Sequence, residues 1–251
     1  MPKNDLTAIA AVLDRSGSME SMREDAMGGF NAFLADQKTA PGSAELTVAL
    51  FDGRYEVLHD AADIQIIEPL TEATYVPRGG TALYDAIGRT INVLKAGIDK
   101  RPEDEQPGKV IVVIITDGQE NSSREFNRDQ VFEQIKQLKA GKNWKFIFLA
   151  ADQGALAVGQ ALGVGHGMSV ATGNTKAGAR SAYRSANAAV RCFRSGVEIE
   201  EVTSGGLSGV EALYSQSLVA DQGDGGLVSF AGDGVGTAAA KIPDADADEV
   251  K

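Results

Sequence analysis

Up to about residue 195 the apolar positions alternate between two patterns. Ala8 to Leu13 is a run of small and apolar residues without a charge, the pattern of a strand buried on both faces in a parallel sheet. Met22, Ala26, Phe30, Phe33 and Leu34 then recur at helical spacing. Pro41-Gly42-Ser43 ends that helix, and Leu46 to Phe51 reads as a second strand. Asp52-Gly53 signals a hairpin turn, with Tyr55 to Leu58 as a short antiparallel partner. Strand-like Ile64, Ile66 and Ile67 lead into the loop Val76-Pro77-Arg78-Gly79-Gly80-Thr81. Leu83, Ile87, Ile91, Leu94 and Ile98 predict a second helix, and Arg101 to Gly108 a polar surface loop. Val110 to Ile115 is wholly β-branched and predicts a central strand. A helix over Arg128–Ala140, a buried strand over Phe146–Ala150 and a helix over Asp152–Leu162 follow. A short strand at Met168–Ala171 precedes a last amphipathic helix marked by Ala179, Tyr183, Ala186, Val190 and Phe193. Such alternation predicts an α/β fold: a doubly wound, mostly parallel sheet with one antiparallel edge strand and helices on both faces.

Beyond residue 195 the periodicity fades. Residues 196–251 hold ten glycines and eleven acidic residues against two basic ones. Two units are therefore expected, a folded domain over residues 5–195 and a Gly-rich acidic extension over 196–251, partly disordered. The formal charge of −11 sits mostly in that extension, at −9, and leaves the folded part close to neutral. No basic face for nucleic acid is apparent. No apolar window approaches the ~18 residues of a membrane span. The N-terminal Met-Pro-Lys-Asn-Asp does not resemble a signal peptide. One cysteine, Cys192, excludes an internal disulfide and a cysteine zinc site. These features together predict a cytoplasmic protein.

The candidate chemistry begins at Asp14-Arg15-Ser16-Gly17-Ser18, on the turn from the first strand to the first helix. Open α/β sheets bind ligands at that carboxyl edge. One carboxylate and two hydroxyls at alternate positions are hard oxygen donors, suited to Mg²⁺ or Ca²⁺. The same residues also read as a helix N-terminus, with Ser18 as N-cap and Asp14 facing the helix dipole. Two further loops tip the balance. Asp117 ends the β-branched strand, and Thr81 follows Gly79-Gly80 at the start of a helix. A doubly wound sheet brings both strand ends to one edge, and the glycines allow the Thr81 loop to approach.

These residues resemble the von Willebrand factor type A (vWA) domain with its metal-ion-dependent adhesion site (MIDAS). That family's pattern is Asp-x-Ser-x-Ser, then a Thr, then an Asp, each in its own loop. Here Asp14, Ser16, Ser18, Thr81 and Asp117 match it in order. The resemblance covers about residues 5–195 and implies a Rossmann-like fold. It also implies a bound Mg²⁺, with Mn²⁺ or Ca²⁺ as alternatives, contacted by Ser16, Ser18 and Thr81 and through water by Asp14 and Asp117. A metal held mainly by neutral oxygens keeps most of its charge. The implied function is thus capture of an Asp or Glu on a partner protein rather than catalysis, with ATPases and assembly machines as partners by analogy. Two other classes stay open: a Mg²⁺-dependent phosphohydrolase, and a structural subunit whose metal only orders the loops. An aspartyl phosphohydrolase needs an acid two residues after its nucleophile, where this chain has Ser16.

The remaining candidates have plainer readings. Asp52 reads as the first residue of a hairpin turn, with a second role beside the metal as the alternative. Glu120 and Asn121 read as solvated or as caps of the next helix, with the rim of the site as the alternative. Arg15 and Arg78 read as surface charges, with steering of an acidic partner as the alternative. His59 and His166 are expected on surface loops, and Cys192 as a packed small hydrophobe. Gly163 to Gly167 lies between a helix and a strand, the wrong context for a phosphate loop. The run Asp244 to Glu249 lacks the glycine and final glutamate of a calcium loop and reads as a solvated end. A tethered acidic run is also a candidate ligand for the metal site, within one molecule or between two by self-association.

Overall fold

A computed structural model describes residues 3–196, except 142, 151–152, 165–168 and 172–175. The extension beyond Gly196, the 244–249 run and His166 lie outside the described residues. Six strands form one sheet in the order β3-β2-β1-β4-β5-β6. They are β1 (Lys3–Asp14), β2 (Ser43–Phe51), β3 (Tyr55–Asp63), β4 (Pro107–Thr116), β5 (Trp144–Ala150) and β6 (Ser169–Ala171). Only the pairing of β3 with β2 is antiparallel. Between the strands lie α1 (Arg23–Thr39), α2 (Leu83–Asp99), α3 (Arg128–Ala140) and α4 (Gln153–Ala161), and α5 (Lys176–Arg194) follows β6.

The central strands are apolar because both their faces are covered. Every residue from Ala8 to Leu13 and from Val110 to Ile115 is buried. α1 packs against α5, and α2 against α3. Right-handed crossovers explain this division. From β1 the chain moves outward to β2, which puts α1 on one face. From β3 it crosses back over to β4 and continues to β5 and β6, which puts α2, α3 and α4 on the other. β1 and β4, where the direction reverses, lie side by side with Leu13 opposite Ile115. Their carboxyl ends open the crevice in which such sheets bind ligands.

The segment between β3 and α2 is strapped along α1. Lys38 Nζ donates to the Ile67 carbonyl at 2.7 Å. The Asn31 side chain meets both Leu70 N, at 2.7 Å, and Leu70 O, at 2.9 Å. Arg23 Nε donates to the Tyr75 carbonyl at 3.1 Å. These bonds deliver the Arg78-Gly79-Gly80-Thr81 loop to the ends of β1 and β4.

Several local expectations change. The chain leaves β1 through a 3-10 turn, Gly17–Met22, before α1 begins at Arg23. Met19 on that turn is buried, whereas Met22 is only half-buried. Ile64–Ile66 is a 3-10 turn and not strand-like, because the Asp63 carboxylate accepts from Gln65 N at 2.9 Å and caps it. Ile64 and Ile67 still reach the core, while Ile66 is 69% exposed. β3 runs past Leu58 to Asp63 through a bulge at Ala61, which has φ 44°. His59 therefore lies half-buried on a strand rather than on a surface loop. The polar loop after α2 contains a 3-10 turn, Glu103–Glu105, and ends where β4 starts at Pro107. Cys192 is buried on α5, and burial pushes its thiol up to about 11.

The contact between α1 and α5 generates a paired prediction. A Cβ on Gly29 would lie 2.2 Å from the Tyr183 ring, whereas one on Gly28 would meet nothing within 4 Å. Gly28→Ala is expected to stabilise by up to about 1 kcal/mol through helix propensity. Gly29→Ala is expected to destabilise by roughly 1–3 kcal/mol, because overpacking outweighs propensity. Urea midpoints that move in opposite directions for these adjacent substitutions are the expected result.

Candidate metal centre

Asp14 is the last residue of β1 and is completely buried between β2 and β4. Its Oδ1 accepts from the Ser16 amide at 2.7 Å, which closes the turn, and its Oδ2 accepts from Thr116 Oγ1 at 2.6 Å. The buried Tyr75 hydroxyl donates to the Asp14 carbonyl. Two residues further, Ser16 Oγ lies 3.0 Å from Ser18 Oγ, and Ser18 Oγ donates to Asp117 Oδ1 at 2.8 Å. Ser18 therefore does not cap a helix; its hydroxyl crosses to the loop after β4. Ser16 and Thr81 are buried, and Ser18 is exposed at the mouth.

Thr81 reaches the same place. A Cβ on Gly118 would lie 3.2 Å from Thr81 Oγ1 and 3.7 Å from Ser18 Oγ. The missing side chain of Gly118 thus leaves a small hollow bordered by hydroxyls from two loops. Thr81 is locked to the loop after β4 by a reciprocal pair. Its N–H donates to Asn121 Oδ1 at 2.9 Å, and Asn121 N donates to the Thr81 carbonyl at 3.0 Å. Glu120 accepts from Tyr84 N at 3.0 Å and so serves the first turn of α2 rather than the following helix. α3 has its own capping box, from Asn127 and Gln130. Asp85, on α2, accepts from the amides of Arg124, Glu125 and Phe126 at 2.8–2.9 Å. Burial raises its pKa, but the three amides outweigh that and hold the carboxyl below the usual range.

The structure brings Asp14, Ser16, Ser18, Thr81 and Asp117 to one end of the sheet. Asp14 has no cationic side chain against it among the described residues. Burial pushes its carboxyl up to about 6, against the hydrogen bonds from Thr116 and Ser16, and the nearby charge of Asp117 adds to the rise. Arg15, the next residue, is buried and not a surface charge. It turns away to Asp52, 3.0 Å from Nε to Oδ2, and to Glu56, 2.7 Å from its outer guanidinium nitrogen. Arg78 Nε reaches the same Asp52 oxygen at 3.0 Å.

The donor set decides which group fits. Among the described residues no three His, Cys, Asp or Glu side chains converge as a metal cluster. What converges is two carboxylates and three hydroxyls, all hard oxygens, beside a hollow kept open by Gly118. That set fits a small hard divalent cation that retains water, and it does not fit a soft metal.

Sequence reasoning missed Thr116, Tyr75 and Asp85. Thr116 and Tyr75 read as the end of an apolar strand and a loop aromatic. Asp85 reads as an ordinary first-turn acid of α2. Each acquires its role only from a residue at least 39 positions away.

No protein-family model and no curated protein matches the sequence. Solved structures do match. The vWF domain of the type V pili tip protein Mfa5 from Porphyromonas gingivalis is 10% identical, with a TM-score of 0.52, over 78% of this chain and 98% of that one. The pilus adhesin SpaC from Lactobacillus rhamnosus GG, in an open conformation, is 12% identical, with a TM-score of 0.52, over 76% and 30%. The ArnB paralog VWA2 from Sulfolobus acidocaldarius is 20% identical, with a TM-score of 0.38, over 59% and 35%. The chain thus spans about a third of the length of VWA2 and of SpaC. At these identities the likeness speaks to fold. With five parallel strands, one antiparallel edge strand and the 3-2-1-4-5-6 order, this chain has the Rossmann-like α/β fold of the vWA domain.

Proposed function

We propose that this chain is a protein-binding module that holds Mg²⁺ at Asp14, Ser16, Ser18, Thr81 and Asp117, with Mn²⁺ or Ca²⁺ as alternatives, and captures an acidic side chain of a partner protein there. The observation that carries the reading is Asp14: a wholly buried carboxylate with no cationic partner among the described residues, beside hydroxyls from its own loop, from the Thr81 loop and from the end of β4. Burying an uncompensated charge costs several kcal/mol by order of magnitude, so this arrangement favours a cation. When bound, the cation supplies a Lewis-acidic coordination position for a carboxylate. Asp14 and Asp117 bring negative charge, and the three hydroxyls bring neutral oxygens that leave the cation electron-poor. Ser18, exposed at the mouth, stands where a partner arrives.

A binding role is favoured over a phosphohydrolase for two reasons. Ser16 stands where proton transfer would need an acid. The structures of like fold include a pilus adhesin and a pilus tip protein.

The first test is metal titration by calorimetry. Asp14→Ala is expected to abolish Mg²⁺ and Mn²⁺ binding while the far-UV spectrum stays unchanged. Thr81→Ala is expected to weaken binding and leave it measurable. Equal affinity of wild type and Asp14→Ala would remove the proposed site. A pull-down from the native host with and without EDTA then tests capture, and a metal-independent partner would count against it.

The second test is thermal stability without metal. The folded state holds the Asp14 proton more tightly than the unfolded chain, whose carboxyl titrates near 3.8. Its contribution is therefore present at low pH and is lost as pH rises from about 4 through 6. That loss is on the order of 3 kcal/mol. Asn at this position can accept from Ser16 N and donate to Thr116 Oγ1. Asp14→Asn is therefore expected to melt above wild type at pH 7.5 in EDTA, with the gap closing when Mg²⁺ is added. A variant that melts below wild type in EDTA would mean the carboxylate is not the strained group.

A further inference from the structure

Asp52 lies outside the set of metal donors, yet both ends of the Thr81 loop hang on it. Its side-chain Oδ2 accepts from Arg78 Nε at 3.0 Å, three residues before Thr81. Its backbone carbonyl accepts from Ala82 N at 3.0 Å, one residue after Thr81. The same Oδ2 accepts from Arg15 Nε at 3.0 Å, within the loop that carries Ser16 and Ser18. Oδ1 accepts from Arg54 N at 2.7 Å, which fixes the carboxylate on the turn after β2. Asp52 is buried, so these are charge-assisted bonds in a poorly solvated place. Around them the two loops also join through their backbones. Arg78 N donates to the Arg15 carbonyl at 2.8 Å, and Gly17 N to the Gly79 carbonyl at 3.1 Å.

The two arginines leave the carboxylate by different routes. Arg15 is buried and also paired with Glu56, whereas the Arg78 side chain is 51% exposed. An exposed arginine on a protein surface ordinarily contributes little. Arg78 differs because its partner is buried and shared, and because it opens the segment that carries Thr81. At Gly79, φ is +69°, and a Cβ there would lie 3.7 Å from Asp52 Cβ. The loop therefore passes close over Asp52, on a glycine that tolerates the left-handed backbone.

We propose that Arg15, Asp52 and Arg78 form a clasp that positions the Thr81 loop against the Asp14-to-Ser18 loop, so that the five cation donors are gathered before a cation arrives. Asp52 is a positioning residue: it acts through Arg78 and Arg15 and donates nothing to the cation. The inference rests on the metal reading above and assigns the arrangement of that site to residues outside it. Preorganisation of this kind shows in affinity, since loss of a partner that orients a ligand typically costs about 10–100-fold in metal binding.

The experiment compares wild type, Arg78→Ala, Asp52→Asn and the surface control Lys95→Ala, which pairs with Asp99. Two quantities are read at a temperature well below every melting point. The first is amide hydrogen exchange at Gly17 and Arg78 in EDTA, which reports the loop-to-loop bonds without any metal. The second is Mn²⁺ affinity by calorimetry. Arg78→Ala is expected to raise exchange at both amides and to weaken Mn²⁺ by about tenfold, the lower end of that range. Asp52→Asn, if it remains folded, is expected to do more, because it releases both arginines. Lys95→Ala is expected to change neither quantity. A mere stability role would lower the melting point of Arg78→Ala and leave Mn²⁺ affinity of the folded protein at the wild-type value, and that result overturns the proposal. Unchanged amide exchange in Arg78→Ala overturns it as well. A wild type that binds no Mn²⁺, despite exchange that responds to Arg78→Ala, would instead sink the metal reading, and the positioning role with it.

Discussion

The structure turns on the side-by-side pairing of β1 and β4. The two strands pair in parallel from Thr7 opposite Lys109 to Leu13 opposite Ile115. Their chains depart to opposite faces of the sheet, and no crossover covers the gap between their carboxyl ends. The residues that finish the strands, Asp14 and Thr116, are forced together there and bond at 2.6 Å. The strap along α1 and the hairpin after β2 then decide which loops fill the rim. A sheet with another strand order would carry the same motifs to different places and build no common site.

Carboxylates near this edge divide by what answers their charge. Asp85 takes three backbone amides and Glu120 serves the first turn of α2, so both are spent on tying the loop after β4 to the helix that Thr81 precedes. Asp52 is answered by two arginines. Among the described residues Asp14 is answered by the Ser16 amide and by hydroxyls, and burial raises its pKa. The neighbour Arg15, which lies one residue away, is drawn off to Asp52 and Glu56. Among the described residues, two arginines thus meet Asp52 and no cationic side chain meets Asp14.

The architecture was legible in the sequence because its signals are local. An uninterrupted β-branched run at 110–115 can only be a strand covered on both faces, and helical spacing over 83–98 needs no tertiary information. Asp-Gly at 52–53 marks a tight turn by its own backbone preferences. That Asp14, Ser16, Ser18, Thr81 and Asp117 would meet at one edge was legible for a related reason. Each sits at the end of a strand or the start of a helix, and topology carries strand ends to one edge whatever the side chains do. Local signals fell short at Ile64–Ile66, where an Asp63 cap converts a strand-like pattern into a 3-10 turn. They also fell short at His59, because a bulge extends β3 past its expected end.

The roles of the polar residues around these five positions were decided only by the tertiary structure. Arg15 and Arg78 carry the same charge in sequence whether solvated or clasped; the close passage of Gly79 over Asp52 draws both onto one oxygen. Asp52 is a sound turn residue, and nothing in Asp-Gly records that its other oxygen faces two loops. Tyr75 and Thr116 show no pattern at all, since a hydroxyl aimed at Asp14 depends on a partner 61 or 102 residues away. The sequence by itself thus determined which elements form and which residues stand at their ends. Burial and long-range hydrogen bonds, which exist only once the chain is packed, decided which of those residues neutralise one another.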